Sequence, residues 1–185
     1  MKIFALAQPL VLAMVGKSGH NSLHQSLTWN QLPVRLLFGN YELTIDDKNR
    51  MLVPSEIRKA IDPMADGEAF YLVTGVNQKL WLYPEKYYET LANGMRSEIT
   101  PEDDMLALDQ LLFGMASKVE WDKQGRILIP DRVLKKSGLG KEVTLIGMRD
   151  HAEIWNRADW DARIEELDRK RAEIAVRAKQ KQSNT

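Results

Sequence analysis

The chain has 185 residues, 44% hydrophobic and 28% charged, which fits one ordinary folded domain or two small ones and excludes a disordered or fibrous chain. It contains no cysteine, so disulfides, thiolate zinc sites and cysteine nucleophiles are excluded together, and a reducing compartment is a natural fit. Lys+Arg and Asp+Glu both number 26; a general basic bias toward nucleic acid is therefore excluded, and only a local basic patch could serve such a partner.

Residues 1–34 read as a loosely ordered or mis-started N-terminal extension. Met1-Lys2 followed by an apolar run from Ile3 to Val15 imitates a secretory signal, but Gln8 and Pro9 interrupt the run and no small-x-small cleavage site follows. The run is also shorter than the roughly 20 residues of a membrane span, and no membrane partner is expected. Gly16-Lys17-Ser18 resembles the end of a phosphate-binding loop, yet Val11 stands where the earlier glycine is needed.

Beyond this extension the chain repeats itself. Leu37-Phe38-Gly39 recurs as Leu112-Phe113-Gly114, and the run from Asp46 to Pro54 recurs from Asp122 to Pro130; Gly75, Tyr83 and Tyr88 find counterparts in Gly147, Trp155 and Trp160. In each copy an alternating strand (41–45; 118–121) leads through a polar turn into a short apolar strand that ends at proline. A brief helix follows (55–61; 131–137), with Pro54 and Pro130 at its entrance. Then comes a hairpin, 70–74 with 79–83 and 143–147 with 152–155, closed by Asn77-Gln78 and by Arg149-Asp150-His151. Between the copies, Thr100-Pro101-Glu102-Asp103 has the cap, proline and acids of a helix start. Residues 158–181 form a polar helix with a narrow stripe of Trp160, Ile164, Leu167 and Ile174, and basic last turns at Arg177, Lys179 and Lys181. The expected segments are a first module over 36–84, a helical linker over 85–112, a second module over 113–157, and a helix and tail over 158–185.

The candidate functional residues lie in the two Asp-x-x-x-Arg runs. Arginine's planar fork matches the N7 and O6 acceptors of guanine, and a two-stranded ribbon fits the DNA major groove. Arg50 and Arg126 follow polar turns from which they can project, and Lys48, Asn49, Lys123 and Gln124 lie in those turns within reach of phosphates or base edges. Asp46 and Asp122 brace the turns or orient the arginines, and Gly125 supplies the left-handed backbone that Asn49 must supply in the first copy. On spacing alone, the Asp and Arg of each run serve equally well as a pair that merely holds the turn. Arg58, Lys59, Lys135 and Lys136 read as solvated helix faces, and Trp81, Trp155 and Trp160 as core or interface anchors. His20, His24 and His151 lack metal spacing, no Ser/His/Asp set or isolated carboxylate pair stands out, and neither an enzyme nor a cofactor is expected.

The paired Asp46–Arg50 and Asp122–Arg126 signatures, the opening Phe38-Gly39-Asn40-Tyr41-Glu42 and the closing Glu153-Ile154-Trp155 resemble the MraZ family of the AbrB/SpoVT-like superfamily, over about residues 36–162. The resemblance implies an α+β, mainly β fold of two tandem AbrB-like modules, swapped-hairpin and double-psi-like, with short helices and a C-terminal helix. It implies a cytoplasmic, nucleoid-associated regulator that assembles into a homo-oligomeric ring. The implied partner is double-stranded DNA, at G-rich direct repeats in the promoter of the division and cell-wall gene cluster. Asn49 departs from the family's glycine, and Leu108-Asp109-Gln110-Leu111-Leu112 lacks the arginines expected there. Two other readings stay open: an AbrB-like antitoxin, and an oligomeric scaffold that binds no DNA.

Overall fold

Alternation of side chains sets the first strand of each repeat, and a proline ends the second. In the computed structural model, which describes residues 36–75, 77–95 and 103–182, the first repeat runs β1 (Asn40–Thr44), β2 (Arg50–Leu52), α1 (Ser55–Ala60), α2 (Pro63–Asp66), β3 (Ala69–Thr74), β4 (Leu80–Pro84) and α3 (Glu85–Gly94). The second runs α4 (Asp103–Leu112), β5 (Ser117–Glu120), β6 (Arg126–Leu128), α5 (Asp131–Ser137), β7 (Glu142–Gly147), β8 (Ala152–Asn156), α6 (Arg157–Arg169) and α7 (Arg171–Gln182). The extension over 1–34 and the helix start at Thr100, Pro101 and Glu102 lie outside the described residues.

The repeats are woven together. A six-stranded antiparallel sheet has the order β1-β7-β8-β4-β3-β5, and a two-stranded ribbon pairs β2 with β6. Each repeat's first strand thus pairs with the other repeat's hairpin: β1 with β7, and β5 with β3. Exchanging the repeats reverses the strand order onto itself, so a pseudo-two-fold axis passes between β4 and β8 and through the ribbon. In the ribbon, Met51 faces Ile127, while Arg50 faces Leu128 and Leu52 faces Arg126. The hairpins differ by one residue, with five between β3 and β4 and four between β7 and β8.

The main core lies between sheet and ribbon. Phe70, Leu72, Leu80, Leu82, Val143, Leu145, Ala152 and Ile154 face inward from the sheet against Met51, Val53, Ile127 and Ile129, with Ile57 and Val133 from α1 and α5 at the sides. Full burial of each such large side chain stabilises the fold by about 1.5–3 kcal/mol, so this layer fixes the ribbon firmly. On the opposite sheet face, Tyr71, Val73, Trp81 and Tyr83 pack with Tyr87, Tyr88 and Leu91 of α3. This explains why β3 and β4 are almost continuously apolar: both of their faces are covered. The expected C-terminal helix is divided at Lys170, where α6 ends before α7 begins. Trp160, at the start of its apolar stripe, meets Trp155 edge-on at 5.7 Å between centroids.

Candidate nucleic-acid interface

Each Asp-x-x-x-Arg run folds as one turn closed by its own acid. Asp46 Oδ1 accepts hydrogen bonds from the Lys48 and Arg50 backbone amides, both at 2.9 Å. Its Oδ2 accepts from Arg50 Nε at 2.8 Å and lies 2.6 Å from Nη2. The second copy repeats this arrangement: Asp122 accepts from the Gln124 and Arg126 amides at 2.8 and 3.0 Å, and from Arg126 Nε and Nη2 at 3.0 and 2.7 Å. The arginine beside each acid, aided by the amides, holds both carboxyls well below their usual range, at about 2. The spacing follows from the chemistry: an acid at the head of a turn meets the amides two and four residues on, and the fourth residue's side chain curls back to its second oxygen.

The third residue after each acid must adopt a left-handed backbone to finish the turn. Asn49 has φ 58° and Gly125 has φ 78°, so asparagine does serve where its counterpart is glycine. At Gly125 a Cβ would fall 2.6 Å from the Arg58 guanidinium, which lies over the turn while Arg58 Nε donates to the Val53 carbonyl at 3.0 Å. Arg58 is therefore not the solvated helix residue expected from sequence; it spans from the first repeat onto the second repeat's turn. Lys59, Lys135 and Lys136 are exposed as expected, with Lys135 paired to Asp131.

The ribbon brings the two signatures onto one surface. Met51, Val53, Ile127 and Ile129 point into the core, so the alternating residues Arg50, Leu52, Arg126 and Leu128 point outward. They form a rectangle with the arginines on one diagonal and the leucines on the other. Its sides are about 7 Å along the strands and about 5 Å across them. Leu52 is 45% exposed and Leu128 57%. Sequence reading missed these leucines, although the alternation that buries Met51 and Ile127 already placed them beside the arginines. Lys48, Lys123 and Gln124 are exposed at the ribbon's ends; Asp47, by contrast, is drawn aside to Lys141 at 2.6 Å. The hydrogen bonds to Asp46 and Asp122 use Nε and Nη2, and among the described residues Nη1 of Arg50 and of Arg126 has no acceptor.

Two interlocked α+β repeats that jointly build one exposed ribbon, with an acid-braced arginine from each, define the class of protein: a tandem duplication whose ribbon needs both halves. Residues 36–109 and 112–182 match the family model described as "MraZ protein, putative antitoxin-like". Among curated relatives, a protein of Acetivibrio thermocellus named transcriptional regulator MraZ is 33% identical over 127 residues, 69% of this chain and 85% of that one. Proteins of the same name from Clostridium tetani and Thermomicrobium roseum are 31% and 32% identical, over 76% and 77% of this chain and 100% and 96% of theirs. The chain belongs to the MraZ family.

Proposed function

We propose that the chain is a DNA-binding transcriptional regulator that reads duplex DNA with the outer face of the β2–β6 ribbon. The observation that carries this reading is the projection of Arg50 and Arg126 from one face, each steadied by its own aspartate. Both keep one guanidinium edge for an outside acceptor. A ribbon of this width enters the major groove, and guanine presents N7 and O6 there together. Lys48, Lys123 and Gln124 at the ribbon's ends are placed to meet phosphates, which position a protein on the duplex without reading sequence. Asn49 closes the first turn with its left-handed backbone and is placed beside Lys48 to reach phosphates or base edges as well.

The finer reading follows the resemblance. The interlocked repeats form AbrB-like, swapped-hairpin modules. The target is a set of G-rich direct repeats in the promoter of the division and cell-wall gene cluster, bound by a homo-oligomeric ring in the cytoplasm at the nucleoid. Direct repeats suit a ribbon whose arginines obey the pseudo-two-fold while its turn residues differ, Asp47-Lys48-Asn49 at one end and Lys123-Gln124-Gly125 at the other, which gives the face a direction. Several protomers engaging successive repeats would give a neutral chain tight binding through avidity.

The test is titration of labelled duplex from upstream of the chain's own gene, against a scrambled duplex, at two salt concentrations. Wild-type protein is expected to prefer the native duplex, with affinity falling as salt rises. Arg50→Ala and Arg126→Ala should each lose about 1–3 kcal/mol of that preference. Equal weak binding to both duplexes, unaffected by either substitution, would overturn the reading in favour of the antitoxin or scaffold alternatives.

A further inference from the structure

The two exposed leucines of the ribbon have no role in the account above. We infer that Leu52 and Leu128 read thymine methyl groups beside the guanines that Arg50 and Arg126 read; this rests on the DNA reading proposed above. The leucines sit on the outer face of the ribbon, each directly across from an arginine of the other repeat, and both are largely exposed. Nothing in the fold calls for them there, because Met51, Val53, Ile127 and Ile129 already supply the ribbon's entire contribution to the core. Charge complementarity selects the occupant. Lys48 and Lys123 are exposed at the ribbon's ends, and Arg50 and Arg126, each balanced by its aspartate, keep Nη1 without an acceptor among the described residues, whereas the major groove offers a polyanion whose one apolar feature is the thymine C5-methyl.

Reach points the same way. Each arginine is held back by two contacts to its own aspartate, so it cannot extend fully. The ribbon backbone must then approach the base edges closely, and that approach carries the shorter leucines against them. A leucine pressed on a thymine buries a methyl. Pressed on the polar edge of another base, it would strip water from a donor or acceptor and supply no partner. The pair therefore favours thymine and disfavours the alternatives. With sides of about 7 and 5 Å the rectangle covers roughly three base pairs, so the recognised element joins guanine to thymine within that distance.

The experiment selects duplexes from a random pool with wild-type protein, then resynthesises the tightest binder with deoxyuridine in place of each thymidine, which removes the methyl and nothing else. Loss of one buried methyl should weaken wild-type binding about fourfold. Leu52→Ala and Leu128→Ala, both surface changes that leave folding nearly untouched, should each bind the thymine and uracil forms of one position equally. If wild type binds both forms alike, or the alanine variants keep the discrimination, the leucines do not read methyls and the DNA reading still stands. If light scattering finds a smaller assembly for the alanine variants, the leucines are subunit contacts and the inference is overturned. If no sequence is enriched from the pool, the DNA reading itself fails, and the inference with it.

Discussion

Asp46 and Asp122 each serve two amides and an arginine at once, and that concentration of donors gives them a measurable signature. Their carboxyls titrate at about 2, below the ordinary value of 3.8. A depressed folded-state value means that the stability these groups contribute is present above pH 3.8 and is lost as pH falls toward 2. The expected result is two carboxyl resonances with midpoints near 2 in an NMR titration. The acid limb of thermal stability should become shallower between pH 4 and 2 in Asp46→Asn plus Asp122→Asn. Midpoints near 3.8 would mean that the arginines do not rest on the aspartates. Gly125 makes a second residue-level test. Its φ of 78° is costly for any side chain, whereas the overlying Arg58 tip can move aside. Gly125→Ala should cost roughly 1–2 kcal/mol in urea unfolding, while Asn49→Gly should stay within about 0.5 kcal/mol because its backbone demand is already met.

The elements themselves were legible, and their partners were not. Alternation, the proline after each second strand and the turn residues of both hairpins are local signals, and the strands and the helices that follow the prolines fall close to where those signals place them. That β1 would pair with β7, more than 90 residues away, is carried by no local period; it came only through the resemblance, as interlocking modules. The misread Arg58 has the same origin, since its value lies in a turn of the other repeat. His151 is a third case. Placed by sequence in a polar turn, it is 8% exposed, packed at a tilt against the rings of Trp81 and Tyr83, with Nδ1 2.9 Å from Asp150 and Nε2 3.7 Å from Glu153. Burial pulls its pKa down, but the two carboxylates outweigh burial and raise it above 6.5. A raised value contributes stability fully present below 6.5 and lost as pH rises through the folded value. Tyr83 and Tyr87, also facing the cluster, are pushed upward by burial and by Asp150, so they stay neutral over this range. Thermal stability should therefore decline as pH rises above neutrality, and His151→Gln should flatten that decline; an unchanged slope would assign it elsewhere.

At the scale of the whole molecule, the pseudo-two-fold makes the two ends of the six-stranded sheet near-equivalents. The segment before β1 and the β7–β8 turn expose Leu36, Phe38 and Met148, and α4 with the segment leading into β5 exposes Leu106, Leu111 and Phe113. Phe38 is 70% exposed and Leu111 60%, and the runs that hold them, Leu36-Leu37-Phe38 and Leu111-Leu112-Phe113, are counterparts in the two repeats. Large apolar side chains left out beside the segments that lead into β1 and β5 are what a head-to-tail assembly would cover, and such contacts close into a ring when the rotation permits. In the proposed ring each joint would use one end of each kind, so a single charge placed at either end should break every joint. Phe38→Glu and Leu111→Glu should each lower the mass found by light scattering to that of the monomer, with the fold retained by circular dichroism. Mixing the two variants discriminates further. The Phe38→Glu protein keeps a sound β5 end and the Leu111→Glu protein a sound β1 end, so the mixture should form one joint and stop as a dimer. If instead either variant dimerises alone, like ends meet, the contact is isologous, and closure into a ring must come from another surface.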